Sequence, residues 1–202
     1  MAAKIQLIPQ SFDIKEMTAN PIKAISDAAR TCYRSHNKSS PDNDARLVES
    51  LIKRGHTAML EFASLTVDFT TSRGVANELV RHRLFSFAQE STRYCNYSNG
   101  TFYFIDTFKD EDQRQELEFF CQNAANTYEY LVRHNCRPEK ARAVLPSCLA
   151  THIRVAGNIR QWRHMLALRT GRAAHPEMRE LMSDLLEQLA LDHPVLFQDL
   201  DV

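Results

Sequence analysis

Seven apolar residues near the C-terminus, Met178, Leu181, Met182, Leu185, Leu186, Leu189 and Ala190, fall on one face of a 3.6-residue repeat. That spacing buries one stripe and exposes the rest, and Pro176 suits a first helical turn, so the pattern predicts a helix over 176–190. A second stripe, Leu117, Phe120, Cys121, Ala124, Tyr128, Leu131 and Val132, predicts a helix over 111–133. Shorter helices are expected at 44–54, 74–82, 138–145 and 158–169. The period changes to two over 63–70, where Leu65, Val67 and Phe69 alternate with polar neighbours, the signature of a half-buried strand. Weaker strand patterns occupy 3–8, 102–105 and 150–156. Helices outnumber strands, which places the chain in the α+β class, mainly helical with a small, mostly antiparallel sheet. No repeat or Gly/Ser-rich linker interrupts it, and five Gly leave little room for one, so a single domain over 1–202 is expected.

Composition narrows the picture. The 202 residues are 44% apolar and 25% charged, which excludes disordered and collagen-like chains. No apolar run approaches the ~18 residues of a membrane span, and the opening Met1-Ala-Ala-Lys4 does not begin a signal peptide, so a cytoplasmic protein is expected. Five widely spaced Cys without a C-x-x-C pair fit reduced thiols. The net charge of zero removes any global attraction to nucleic acid or membrane. Within that balance, 18 of the 25 basic residues are Arg, the side chain suited to planar, bidentate recognition of anions. Five of them, at 154, 160, 163, 169 and 172, lie in a stretch from 149 to 176 that holds no acid. A neutral protein with concentrated Arg suits a small anion better than a long polyanion.

The densest polar segment runs from Glu78 through Arg81-His82-Arg83 to Gln89-Glu90-Ser91-Thr92-Arg93-Tyr94. Glu78 stands three and four residues before Arg81 and His82, so a continuing helix would let it pair with both. Three Arg interleaved with hydroxyls and amides suit a phosphate and a planar ring. No Gly-rich phosphate loop occurs anywhere, so a nucleotide would be held by another device. His82 and His164 lack partners at zinc-ligand spacing, and no metal site is expected.

These residues resemble the flavin-dependent thymidylate synthases. The family signature, R-H-R, seven residues, then Ser, is matched by Arg81-His82-Arg83 and Ser91, and Arg93-Tyr94 continue it. Supporting stretches are Gly55-His56, 138–146 with Arg142, and 158–169 with Asn158, Arg160, His164 and Arg169. The resemblance implies FAD as tightly bound cofactor and dUMP as substrate. It also implies methylenetetrahydrofolate as carbon donor, NADPH as reductant, and a homotetramer with interfacial active sites. By position it implies that Glu78, Arg81, Gln89, Glu90, Ser91, Arg93, Arg142 and Arg169 line the dUMP site. His56, Arg81, His82, Arg83, Gln89, Asn158, Arg160 and His164 match positions that meet FAD. Arg169 matches the Arg that faces the uracil ring; Ser91 matches a catalytic-site Ser, and hydrogen bonding to substrate is the role expected of it here. Arg142 and Arg93 would clamp the phosphate.

The chain departs from the family at Glu78, where a Gln is common, and at Ala58, Phe62 and 173–175. Arg160 and Arg169, nine residues apart, would point from opposite faces of one helix, roughly 13 Å apart along its axis. That geometry suggests that they serve different active sites. Two other readings remain at this stage: a catalytically inactive nucleotide-binding relative, and a nucleic-acid module stacking bases on Tyr94, Tyr97, Phe102 and Tyr103.

Overall fold

The computed structural model describes residues 2–200. In chain order its elements are β1 (Lys4–Ile8), β2 (Ser11–Met17), α1 (Pro21–Thr31), α2 (Pro41–Lys53), β3 (Ser64–Ser72), α3 (Arg73–Leu79) and β4 (Ser86–Gln89). They continue with β5 (Thr101–Ile105), α4 (Glu111–Arg133), α5 (Pro138–Ala141), β6 (Ala150–Asn158), α6 (Ile159–Arg169), α7 (Pro176–Asp192) and α8 (Pro194–Phe197). The fold is α+β. No helix among the described residues is long and apolar enough to cross a membrane.

Helix boundaries follow local chemistry. Asp110 caps α4 by accepting from Gln113 N, with Glu111 and Asp112 in the positive first turn and Arg133 in the last. Ser40 caps α2, and Gly55, at φ +72°, ends it: Gly55 N donates to Ile52 O and His56 N to Leu51 O, the paired bonds of a Schellman turn. α1, which the apolar pattern above does not include, is capped by Asn20 with Pro21 in its first turn.

Four strands form one sheet in the order β2-β3-β6-β4. Thr18 N donates to Ser64 O while Thr71 reaches Gln10, so β2 and β3 run antiparallel. Ile159 N donates to Ala63 O and Arg73 N to Leu149 O, so β3 and β6 also run antiparallel. Leu65, Val67, Phe69, Thr151, Ile153 and Val155 are buried on the strands' inward face. The exception to the antiparallel expectation is a ribbon of β1 and β5, which pair in parallel from Lys4↔Thr101 to Ile8↔Ile105. Parallel strands need a long crossover between them, and the chain between β1 and β5 supplies one.

Two compact units divide the chain, and each of the four sheet strands passes from one to the other along its length. The first unit holds residues 1–11, 69–81 and 88–154. Its core joins Phe102 and Phe104 of β5 to Cys121, Ala125 and Tyr128 of α4. Phe120, expected in the α4 stripe, is 54% exposed, because the buried face is centred on 121, 124, 125 and 128. The second unit holds residues 12–68, 82–87 and 155–202. Trp162, Met165 and Leu166 of α6 are fully buried there, as are Leu185, Leu186 and Leu189 of α7. Arg30 and Asp44 form a buried ion pair, Nε and Nη2 donating to Oδ1 at 3.0 and 2.8 Å.

Candidate active site

Helix α3 ends at Leu79, three residues before the sequence pattern suggests. Arg81 N then donates to Glu78 O, and Phe85 N to His82 O, so Arg81-His82-Arg83 lies on a turn instead of a continuing helix. Arg81 thus keeps an i, i+3 turn bond to Glu78, while the helical i, i+4 relation of Glu78 to His82 does not continue. The next residues, 86–89, where the sequence pattern gave no strand, form β4, with Glu90 N donating to His152 O of β6.

In the second unit the turn is pinned to α6. Gln161 Nε2 donates to Leu84 O at 2.9 Å. The same Gln161 closes a capping box, its Oε1 accepting from Asn158 N while Asn158 Oδ1 accepts from Gln161 N. Phe85 packs edge-on against buried Trp162, centroids 5.1 Å apart, and edge-on to His82 at 6.3 Å. Gly157 makes room for Phe85, since a Cβ there would lie 2.5 Å from Phe85 Cδ1.

His82 is half buried and meets the far end of α6. Arg169 Nε donates to His82 Nε2 across 2.8 Å. Arg Nε carries a proton at every ordinary pH, so His82 Nε2 must carry none. Burial and the nearby positive charges of Arg169 and His164 lower the His82 pKa to about 4. Arg81 and Arg83 are exposed.

The other flavin candidates of this unit are spread along the α2 end and α6. His56, on the Schellman turn, is exposed, as is His164. Arg160, in the first turn of α6, donates from Nη1 to Glu61 Oε1 at 2.6 Å. Arg160 and Arg169, at the two ends of α6, thus have different partners, Glu61 and His82. Glu61 carries no sequence signal that would pair it with a residue 99 positions on.

The first unit gathers most of the dUMP candidates. Arg142 Nη1 donates to Thr92 Oγ1 at 2.9 Å, and Thr92 is buried, so one arm of Arg142 is fixed beside the Ser91–Arg93 turn. Ser91 Oγ accepts from Arg93 N at 3.3 Å, and the Arg93 guanidinium lies 5.5 Å from the Tyr94 ring centroid. Gln89 Nε2 reaches Thr151 Oγ1 at 3.5 Å. Glu90 is a hub: Tyr97 OH donates to its Oε1 at 3.0 Å, His152 N reaches its Oε2 at 3.5 Å, and Arg73 Nη1 reaches its carbonyl at 3.4 Å. Burial and this carboxylate push the Tyr97 hydroxyl pKa up. Glu90, Tyr97, His152, Thr70 and Tyr103 line a cavity of about 730 Å³. Thr92 and Tyr97 are functional neighbours that spacing alone does not pair with Arg142 and Glu90.

The candidates therefore divide by unit. Glu78, Arg81, Gln89, Glu90, Ser91, Arg93 and Arg142 belong to the first, and His56, His82, Arg83, Asn158, Arg160, His164 and Arg169 to the second.

Comparison with known proteins agrees with the signature. Residues 13–195 match the family model described as thymidylate synthase complementing protein. A protein of Corynebacterium glutamicum named flavin-dependent thymidylate synthase is 33% identical over 195 residues, covering 87% of this chain and 78% of that one. The protein of the same name from Mycobacterium tuberculosis strain H37Rv is 34% identical over 194 residues, with the same coverage. Among solved structures, thymidylate synthase X of Helicobacter pylori, crystallised with FAD and dUMP, superposes with a TM-score of 0.78 at 26% identity, covering 94% of this chain and 98% of that one. The UMP/dUMP methylase PolB of Streptomyces cacaoi, bound to 5-bromo-dUMP, shares the fold with a TM-score of 0.78 at 22% identity, covering 96% and 95%.

Proposed function

The chain belongs to the flavin-dependent thymidylate synthase family, and we propose that it converts dUMP to dTMP. In this reading methylenetetrahydrofolate gives the carbon unit, NADPH is the reductant, and FAD is the resident cofactor. The enzyme works as a cytoplasmic homotetramer with active sites between subunits. The observation that carries the reading is the 2.8 Å bond between Arg169 and His82. It joins, in one place, the residue matched to the uracil ring and the centre of the R-H-R signature.

The donor set fits FAD. In the second unit Arg83 and Arg160 are exposed guanidiniums suited to a diphosphate, and the family match adds Arg81, likewise exposed. His56 and His164 are exposed rings able to lie against a planar heterocycle. Gln89 and the Asn158 end of α6 complete the set. When bound, the reduced flavin would supply the hydride equivalent for the reaction.

The protein's own part is binding and electrostatics. Arg142, fixed through Thr92, and Arg93, lying over Tyr94, clamp the dUMP phosphate, with Arg81 as a third cation. Ser91 donates a hydrogen bond to the substrate; its hydroxyl already accepts from Arg93 N, which orients it. Uracil C5 is a weak nucleophile until negative charge gathers in the ring, and the fixed Arg169 guanidinium stabilises that charge. Glu78 and Glu90 shape the same loop, Glu90 by holding Tyr97.

The test is the visible spectrum of the purified protein before and after dUMP. A flavin band that shifts on adding dUMP, followed by dTMP formation with folate and NADPH, is the expected result. A protein that stays colourless after incubation with FAD would refute the proposed activity.

A further inference from the structure

We propose that His82 is the positioning residue for Arg169: by accepting Nε–H at Nε2 it sets the plane in which the Arg169 guanidinium meets the substrate ring. The role rests on the proposed reaction but adds to it, because the signature match assigns His82 to the flavin. A guanidinium is planar, so fixing its Nε fixes the orientation of all five N–H groups. Arg169 is the last residue of α6, where a long side chain would otherwise sample many rotamers.

His82 can hold it because His82 is itself held. Its carbonyl accepts from Phe85 N at 3.0 Å, its ring meets the Phe85 edge, and Phe85 stands against fully buried Trp162. The chain of contacts runs from the core of α6, through Phe85 and His82, back to the end of the same helix. The imidazole must be neutral with its proton on Nδ1. Burial, the Arg169 guanidinium and the nearby His164 ring all disfavour a second proton. An ammonium or a protonated ring in its place would repel Arg169 instead of holding it.

A double-mutant cycle tests this in the flavin-loaded enzyme, with turnover and dUMP affinity by calorimetry as separate readouts. His82→Ala should lower kcat about tenfold to a hundredfold, as expected for one hydrogen bond to a charged group. His82→Ala combined with Arg169→Ala should be no slower, and bind dUMP no more weakly, than Arg169→Ala alone. His82→Gln, whose carbonyl reaches the place of Nε2, should recover at least half of the loss on a logarithmic scale, whereas His82→Asn, which stops at the place of Nδ1, should not. Multiplying effects of the two Ala substitutions, or equal rates for the Gln and Asn variants, would overturn the proposal. The Gln–Asn comparison survives if the Ala variant fails to fold. A wild type that binds dUMP without methylating it would refute the proposed reaction, while the affinity cycle would still judge the coupling. Imidazole ¹⁵N NMR needs no substrate: Arg169→Ala should raise the His82 pKa from about 4. An unchanged titration would also overturn the proposal.

Discussion

Gly157→Ala is the sharpest perturbation of this site that touches no candidate ligand. A Cβ at 157 would lie 2.5 Å from Phe85 Cδ1, 2.6 Å from Cε1 and 2.8 Å from Gln161 Oε1. Ordinary carbon contacts lie near 3.5–4.0 Å, so Phe85 must retreat by about 1 Å, which disturbs its edge-on packing against Trp162. Overpacking of this kind costs about 1–3 kcal/mol. Moving Gln161 also loosens the cap of α6, worth about 1 kcal/mol. The sum, about 2–4 kcal/mol, corresponds to a fall in Tm of roughly 4–16 °C for a chain of this size. Because Phe85 leads to His82, turnover should fall by more than stability alone explains at a temperature where the variant is fully folded. The assay pairs differential scanning calorimetry with dTMP formation at 25 °C. A Tm within 1 °C of wild type, with unchanged turnover, would refute the account of how Phe85 is seated.

Three other outcomes are expected. Asp44→Ala leaves Arg30 buried without its partner and should cost about 3–5 kcal/mol in denaturant unfolding. Burial pushes the Asp44 pKa up, but hydrogen bonds from Ser39, Arg30 and Ser26 and the Arg30 charge hold it below its ordinary value. With the folded pKa depressed, the unfolded chain binds more protons in acid, so this contribution is present above about pH 4 and is lost as pH falls further. Asp44→Asn should therefore show a flatter acid limb than wild type, and parallel limbs would refute the assignment. Co-expressed Arg160→Ala and Arg169→Ala chains should recover activity that neither has alone, if the two ends of α6 serve different active sites. No recovery in confirmed hybrids would count against that arrangement.

The helices were legible where one stripe decides burial: α4 and α7 begin where their apolar periodicity and capping residues place them. β3 and β6 were legible from alternation. β4 was not, because Ser86–Gln89 is short, mixes polar and apolar residues on both sides, and takes its strand form from pairing with β6, far away in sequence. α1 left signals in Asn20, Pro21, Ile25 and Ala29, a cap, a first-turn proline and a one-sided stripe, but at eleven residues it is about half the length of α4. The parallel pairing of β1 with β5 depends on the whole crossover, which no local window contains. At the site, the R-H-R-x7-S spacing named the segment, yet it could not show that α3 ends before Arg81. The pairs that organise the site join residues 50 and 87 positions apart, Thr92 with Arg142 and His82 with Arg169. Such contacts are set by packing, not by sequence proximity.

The path of the chain has a consequence for recombination. Each unit is assembled from three separate stretches, and the signature itself is divided, Arg81 falling in one and His82 in the other. No single cut in the gene separates the two, and no fusion or exchange of one contiguous fragment can transplant either. A laboratory chimera with its crossover anywhere between residues 12 and 154 would therefore mix the parents in both units at once, so that residues that would bind nucleotide and flavin are exchanged piecemeal in each.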